Sequence, residues 1–192
     1  MIRVAVLDEH AAVRCGVAAI LGGEPGLVAV GAAADRHELW PLLYRTDPDV
    51  LVAGRPRGAD ALVLCLRIRS SFPRTRLVLY ADGDDVAVPA HFAGIDAVAE
   101  RSADPRELIA AVRGERVLPE VRVGAQRRAA ARLDPRDRAI LAMRLAGTAP
   151  QEIAATVGMS RVQLSRRFAR IVALLRGAAP RGGGLDRAVP IG

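Results

Sequence analysis

The positions of this sequence most capable of chemistry are an acidic pair near its start and a basic cluster near its end. Asp8 and Glu9 follow a short apolar run, and two adjacent carboxylates can hold a hard cation such as magnesium. The basic cluster comprises Arg161, Gln163, Ser165, Arg166, Arg167 and Arg170. Since arginine pairs with guanine and glutamine with adenine in the major groove, this cluster favours contacts to double-stranded DNA. The alternative is a helix whose charges only solvate its surface.

Charge is divided unevenly along the chain. All 28 basic residues are arginine, and the formal net charge is +7. Residues 1–112 carry 12 arginines and 15 acidic residues, whereas residues 113–192 carry 16 arginines and 6 acidic residues. The halves therefore have net charges of −3 and +10, which predicts that the second half binds nucleic acid. A generic basic surface is the competing interpretation.

Composition excludes several classes of protein. With 192 residues, 51% hydrophobic and 26% charged, the chain fits one or two globular domains. No apolar stretch reaches the roughly 18 residues of a membrane span, and an acidic pair so close to Met1 is unlike a signal peptide, so we expect a cytoplasmic protein without a membrane partner. Cys15 and Cys65 lack metal-ligand spacing, and their apolar surroundings predict that both are buried.

The elements that must position the acidic pair follow an alternating pattern over residues 1–113. The predicted strands are Arg3–Leu7, Leu27–Val30, Asp49–Ala53, Arg76–Ala81 and Asp96–Ala99. The predicted helices are Ala11–Leu21, Arg36–Tyr44, Asp60–Arg69, Asp84–Phe92 and one that Asp104 and Pro105 begin. This alternation predicts an α/β domain with a doubly wound, five-stranded parallel sheet of flavodoxin-like type. Function in such folds lies at the carboxyl ends of the strands.

Three segments of this first domain resemble the receiver domain of bacterial response regulators of the NarL/FixJ type. They are Val4-Ala5-Val6-Leu7-Asp8-Glu9-His10, Asp47-Pro48-Asp49-Val50-Leu51-Val52-Ala53 and Ala103-Asp104-Pro105-Arg106-Glu107-Leu108. The resemblance implies a domain that is phosphorylated on one aspartate beside magnesium. It also implies a hydroxyl residue and a lysine that transmit the change.

The sequence departs from that pattern at most of the reactive positions. Asp8 and Glu9 match the acidic pair, but the phosphoacceptor position is Gly54, the hydroxyl position is Ala81 and the lysine position is Arg101. The resemblance therefore implies a degenerate receiver that needs neither aspartyl phosphate nor magnesium, and we expect no metal, no cofactor and no catalytic residue. The roles that remain for the domain are dimerisation and the binding of a small-molecule effector or a protein partner. The alternative is a pocket whose charges simply neutralise one another.

The second half has the pattern of a helix-turn-helix domain over residues 133–176. Residues 114–132 are predicted to form a linker and residues 177–192 a flexible tail. Asp134 caps a helix with Pro135 at its first position, a short helix follows from residue 148, Gly158 makes a turn, and Ser160 caps the last helix. The predicted inward stripe of that helix is Val162, Leu164, Phe168, Ile171, Leu174 and Leu175.

Two families resemble this half. Leu133-Asp134-Pro135-Arg136-Asp137-Arg138, Gly147, Glu152-Ile153-Ala154 and Met159-Ser160 are similar to the LuxR-type helix-turn-helix. Gln151-Glu152-Ile153-Ala154, Gly158-Met159-Ser160-Arg161 and Leu164-Ser165-Arg166 are similar to region four of sigma factors. The order of the domains favours the response regulator.

The sequence thus predicts a non-enzymatic, phosphorylation-independent transcription regulator that binds DNA as a homodimer. Arg166, Arg167 and Arg170 are expected to supply charge to phosphates and the groove, while Arg161, Gln163 and Ser165 read bases. One alternative is a sigma-like module that acts with RNA polymerase. Another is a protein-binding adaptor.

Overall fold

The computed structural model describes residues 1–58, 61–81, 87–118 and 131–175. The strands are β1 (Ile2–Leu7), β2 (Leu27–Ala33), β3 (Val50–Ala53), β4 (Arg76–Ala81) and β5 (Ala97–Glu100). The helices of the first domain are α1 (Ala11–Gly22), α2 (Arg36–Thr46), α3 (Ala61–Ser71), α4 (Ala87–Ala93) and α5 (Pro105–Arg113). The second domain contains α6 (Pro135–Leu145), α7 (Pro150–Thr156) and α8 (Arg161–Leu175).

All five strands are parallel and lie in the order β2-β1-β3-β4-β5, which confirms the predicted doubly wound sheet. β3 is buried along its whole length, as expected for the middle strand of a sheet covered by helices on both faces. Leu7 pairs with Ala53, and Ala81 pairs with Glu100. This register brings the residues that follow β1, β3 and β5 to one edge of the sheet.

Each face of the sheet carries its own apolar layer. One layer packs valines of β1, β3 and β4 against α1 and α5. The other packs leucines of the same strands against α2, α3 and α4, and it continues into the second domain through Phe92, Ile140, Phe168 and Ile171. The rings of Phe92 and Phe168 lie 5.1 Å apart in an edge-to-face arrangement. The two domains therefore share an apolar contact.

The helix starts follow the predicted capping chemistry. The Asp104 carboxylate accepts from the backbone N–H of Arg106 at 2.8 Å, and Asp134 accepts from that of Asp137 at 2.8 Å. Between α7 and α8, Gly158 has a φ of +61°, a left-handed conformation that favours glycine over residues with a side chain. These local features produce the helix, short helix, turn, helix order of the second domain.

Two burial predictions are wrong. Cys15 is exposed, although Cys65 is buried as expected, because α1 covers the sheet with Val17 and Leu21 and turns Cys15 to solvent. Val162 is 62% exposed rather than part of the inward stripe, since it precedes Leu164 on the outer side of α8. The predicted start of α4 at Asp84, most of the predicted linker and the predicted tail lie outside the described residues.

Candidate nucleic-acid interface and receiver pocket

The receiver pocket is built around the buried carboxylate of Asp8, which follows β1. Its Oδ2 pairs with the guanidinium of Arg101 and accepts from the backbone N–H of Arg55 at 2.8 Å. Its Oδ1 accepts from the backbone N–H of His10 at 2.9 Å and lies 3.1 Å from the His10 ring. Both oxygens of Asp8 are thus occupied by protein donors.

Asp8 and Arg101 together occupy the space in which a side chain at position 54 would stand. A Cβ added to Gly54 would collide with Asp8 Oδ2 and lie 2.8 Å from an Arg101 Nη atom. Arg101 also donates to the Tyr80 carbonyl at 3.2 Å and stacks 5.4 Å from the centre of the Tyr80 ring. A residue with a side chain at position 54 would therefore clash with Arg101 as it is placed here.

The remaining charges of the pocket also pair off. Arg55 Nε lies 3.0 Å from a Glu9 carboxylate oxygen, although the Arg55 side chain is 74% exposed. Ala81 ends β4 and offers no hydroxyl beside this pair. The structure brings Asp8, Glu9, Gly54 and Arg101 together, and this geometry favours the interpretation in which their charges neutralise one another.

These contacts direct protein donors at both carboxylate oxygens of Asp8. Burial alone would raise the pKa of Asp8, but the backbone N–H groups of Arg55 and His10 and the charge of Arg101 outweigh it and lower that pKa. The carboxylate is ionised, yet its lone pairs face hydrogen-bond donors. Among the described residues, no group of three or more His, Cys, Asp or Glu side chains is placed to hold a metal ion.

Helix α8 carries the candidate interface to nucleic acid on its exposed side. Leu164, Phe168, Ile171, Val172 and Leu175 are buried and hold the helix on the domain. At its start, Ser160 and Gln163 form a reciprocal cap, with Ser160 N–H donating to Gln163 Oε1 at 2.8 Å and Gln163 N–H to Ser160 Oγ at 3.2 Å. The cap uses the Gln163 oxygen and leaves its NH2 group free to donate.

Arg167 has partners inside the domain that the sequence analysis did not foresee. Its guanidinium pairs with Asp134 and with the fully buried Asp137, both from the start of α6. The hydrogen bond to Asp137 raises the pKa of Arg167, and burial opposes it. This is a correction to the predicted role, because Arg167 ties α8 to α6 with a side chain that is not free to reach a phosphate.

The other arginines of α8 divide between two surfaces. Arg166 and Arg170 line a shallow concavity of about 410 Å³ next to Gly158 and Arg136. Arg161 and Ser165 instead line a cleft of about 680 Å³ that faces α3 of the first domain. The six predicted DNA-contacting residues are therefore not presented together in this arrangement of the domains.

Val162 was missed as a candidate because its apolar side chain was assigned to the core. Its exposure puts a methyl-bearing side chain on the outer surface of α8, between Arg161 and Gln163. Apolar side chains at such positions can contact the methyl group of thymine. No signal in the sequence distinguishes it from a core valine, since its spacing from Leu164 fits a broad apolar stripe.

Comparison with known proteins adds evidence from outside the chain. No protein-family model matches it. The oxygen regulatory proteins NreC of Staphylococcus haemolyticus and Staphylococcus carnosus are each 30% identical over 115 residues, which is 58% of this chain and 53% of each relative. A LuxR-family two-component response regulator from an Aurantimonas species is 28% identical, with a TM-score of 0.56 over 62% of this chain and 91% of that chain.

This chain is similar to response regulators of the NarL and LuxR type. RcsB from Salmonella enterica serovar Typhimurium, bound to promoter rprA, is 22% identical with a TM-score of 0.56 over 91% of this chain and 92% of that chain. At that identity the likeness concerns the fold alone, and it covers most of both chains. The chain spans about half the length of the curated relatives it matches. Within the described residues, no helix is long and apolar enough to cross a bilayer.

Proposed function

We propose that this response-regulator homologue is a transcription regulator that binds double-stranded DNA through α8 and works without phosphorylation of its receiver domain. The observation that carries the proposal is the pairing of Asp8 with Arg101 in the space beside Gly54. A receiver with this pairing keeps its fold and loses its reactive group. We expect the domain to serve as a cytoplasmic homodimerisation or partner-binding module.

The charge and shape of α8 support the DNA part of the proposal. Arg166 and Arg170 are exposed beside the turn at Gly158, on the helix that would lie in the major groove as the recognition helix. Val162 and Gln163 stand on the same outer surface and are our candidates for base contacts. Arg161 and Ser165 can read bases only after the cleft between the domains has opened.

The salt dependence of DNA binding tests this surface. Each phosphate contact releases condensed counterions, so removing two contacts should lower the slope of log K against log salt by about two. We expect Arg166→Ala/Arg170→Ala to show this loss on any duplex. Fluorescence anisotropy with a labelled duplex over a salt series measures it.

Arg106→Ala is the matched control, because Arg106 is an exposed arginine on α5, in the other domain. It should leave the slope unchanged. An unchanged slope in the double variant, with the control also unchanged, would show that another surface binds DNA.

Treatment with acetyl phosphate tests independence from phosphorylation. We expect intact-mass spectrometry to find no labile phosphoryl group and DNA affinity to stay the same, while a response regulator that retains its aspartate gains one in parallel. A phosphoryl group on Asp8 would contradict the proposal, because Asp8 would then have to leave Arg101.

Genome-wide occupancy in the host distinguishes the remaining alternatives. Peaks centred on inverted repeats and lost in Arg166→Ala/Arg170→Ala support a dimeric regulator. Peaks found only where RNA polymerase is bound favour a sigma-like module. An absence of variant-sensitive peaks favours a protein-binding adaptor.

A further inference from the structure

The cleft between the two domains has the size of a small-molecule site. Its volume is about 680 Å³, within the roughly 300–1,000 Å³ typical of ligand pockets. The first domain supplies one wall from α2 and α3, and the second supplies the other from α6, α7 and α8. Asp8 lines neither wall of the cleft.

The cleft concentrates positive charge. Four arginines line it, and no carboxylate from the described residues does. Arg69 is neutralised, since it pairs with Asp96 and donates to the Gly94 carbonyl at 2.9 Å. Within the described part of the chain, Arg67, Arg144 and Arg161 form no ion pair.

Arg144 is the most constrained of these arginines. It is half-buried, it donates to the Phe92 carbonyl at 3.4 Å, and beside Gly94 it lies next to the ion-paired Arg69. Burial lowers the pKa of Arg144, and the charge of Arg69 lowers it further. An anion in the cleft would supply the missing counter-charge.

The rest of the lining suits an organic body rather than a bare ion. The ring of Trp40, the side chain of Leu66 and that of Leu164 provide apolar surface, while Ser70, Gln151 and Ser165 provide hydrogen-bonding groups. Guanidinium groups bind phosphate and carboxylate oxygens through two parallel hydrogen bonds. This combination matches a ligand with an acidic end and a flat or apolar end.

We propose that the interdomain cleft binds a small organic anion, with Arg144 and Arg161 on its acidic group and Trp40 beside its apolar body. Such a ligand would touch both domains and stabilise the arrangement in which Arg161 and Ser165 face the receiver domain. The site stands on its own geometry. Its effect on DNA binding rests on the proposed function of α8.

Fluorescence of Trp40, the single tryptophan of the chain, reports on the site without a label. Adenosine monophosphate serves as the organic anion, pyrophosphate as the inorganic one, and adenosine as the uncharged match for the first. We expect adenosine monophosphate to change the Trp40 emission with saturation, pyrophosphate to bind more weakly, and adenosine to leave the emission unaffected at the same concentrations.

Arg144→Gln and Arg161→Gln each remove one guanidinium from the cleft. Each should lower the affinity for adenosine monophosphate by about tenfold, which corresponds to the loss of one charged hydrogen bond. Arg161 is exposed, so its variant is expected to fold even if Arg144→Gln does not. Arg106→Ala removes the same charge elsewhere and should bind normally. Circular dichroism verifies folding.

Two results would overturn the site. One is the absence of saturable binding of either anion up to about 10 mM, which is weaker than a guanidinium cluster should bind. The other is an equal loss of affinity in Arg106→Ala, since binding would then follow net charge alone. In a separate measurement with duplex DNA, saturating adenosine monophosphate should weaken DNA binding. Anion binding without this effect would contradict the proposed coupling between the cleft and DNA binding, and it would leave the proposed anion site supported.

Discussion

The two halves of the molecule each bury one aspartate beside an arginine, and the two pairs are built differently. Asp8 is paired with Arg101 and also accepts from two backbone N–H groups. Asp137 is paired with Arg167, and in the described part of the chain its Oδ2 has no hydrogen-bond partner. The Asp8–Arg101 pair lies in the space beside Gly54, whereas the Asp137–Arg167 pair joins two helices.

The difference in backbone donors indicates how much each arginine contributes to stability. A buried carboxylate that keeps backbone donors loses only part of its stabilisation when its arginine is removed. A buried carboxylate whose donor is mainly the arginine becomes an uncompensated charge. We therefore expect Arg167 to matter more for stability than Arg101, although Arg101 occupies the site that determines chemistry in receivers.

The largest effect is expected for Arg167→Met, which keeps the apolar stem and removes the guanidinium. Leaving Asp137 buried without its partner should cost about 3–5 kcal/mol of unfolding free energy. Urea denaturation followed by circular dichroism measures it. Adding Asp137→Asn should restore part of the lost unfolding free energy. If the double variant is as unstable as Arg167→Met alone, packing rather than charge is responsible.

A smaller effect is expected for Arg101→Met in the receiver pocket. Asp8 keeps the N–H groups of Arg55 and His10, so the cost should be about 1–3 kcal/mol. Urea denaturation followed by Trp40 emission reports on this domain. A cost above that of Arg167→Met would reverse the comparison between the two pairs.

Acidification should weaken the receiver pocket through Asp8. Its pKa is lower in the folded protein than the value of about 3.9 expected in the unfolded chain. The stabilisation is therefore complete above about pH 4 and is lost as pH falls through the lowered folded pKa. Urea titrations at several acidic pH values should show a weaker pH dependence in Asp8→Asn. An identical dependence would mean that other carboxylates determine it.

The smallest effect on stability is expected for Arg170→Ala, the matched neighbour of Arg167 on α8. Arg170 is 57% exposed and lies 3.8 Å from Asp134, a distance and exposure at which ion pairs contribute little to stability. The same urea assay measures it. A loss comparable to that of Arg167→Met would show that the whole acidic cluster, and not the buried Asp137, anchors the helix.

Much of the architecture followed from local chemistry that can be read in the sequence. Strand and helix order came from alternating apolar runs, and the starts of α5 and α6 from an aspartate followed by proline. The chemistry of Gly54 was equally visible, because a residue without a side chain cannot carry a phosphoryl group. Periodicity was less reliable for Cys15 and Val162, where it could not show how wide the buried stripe is.

The sequence by itself therefore determined the order of elements, the capped helix starts and the lack of a side chain at position 54. Only the tertiary structure decided what each arginine reaches. Arg101 turns to Asp8, Arg167 to Asp137, and Arg144 lies in the cleft between the domains. The physical reason is that an arginine side chain is long and flexible, so its partner is selected by charges and space that distant segments supply when they pack together.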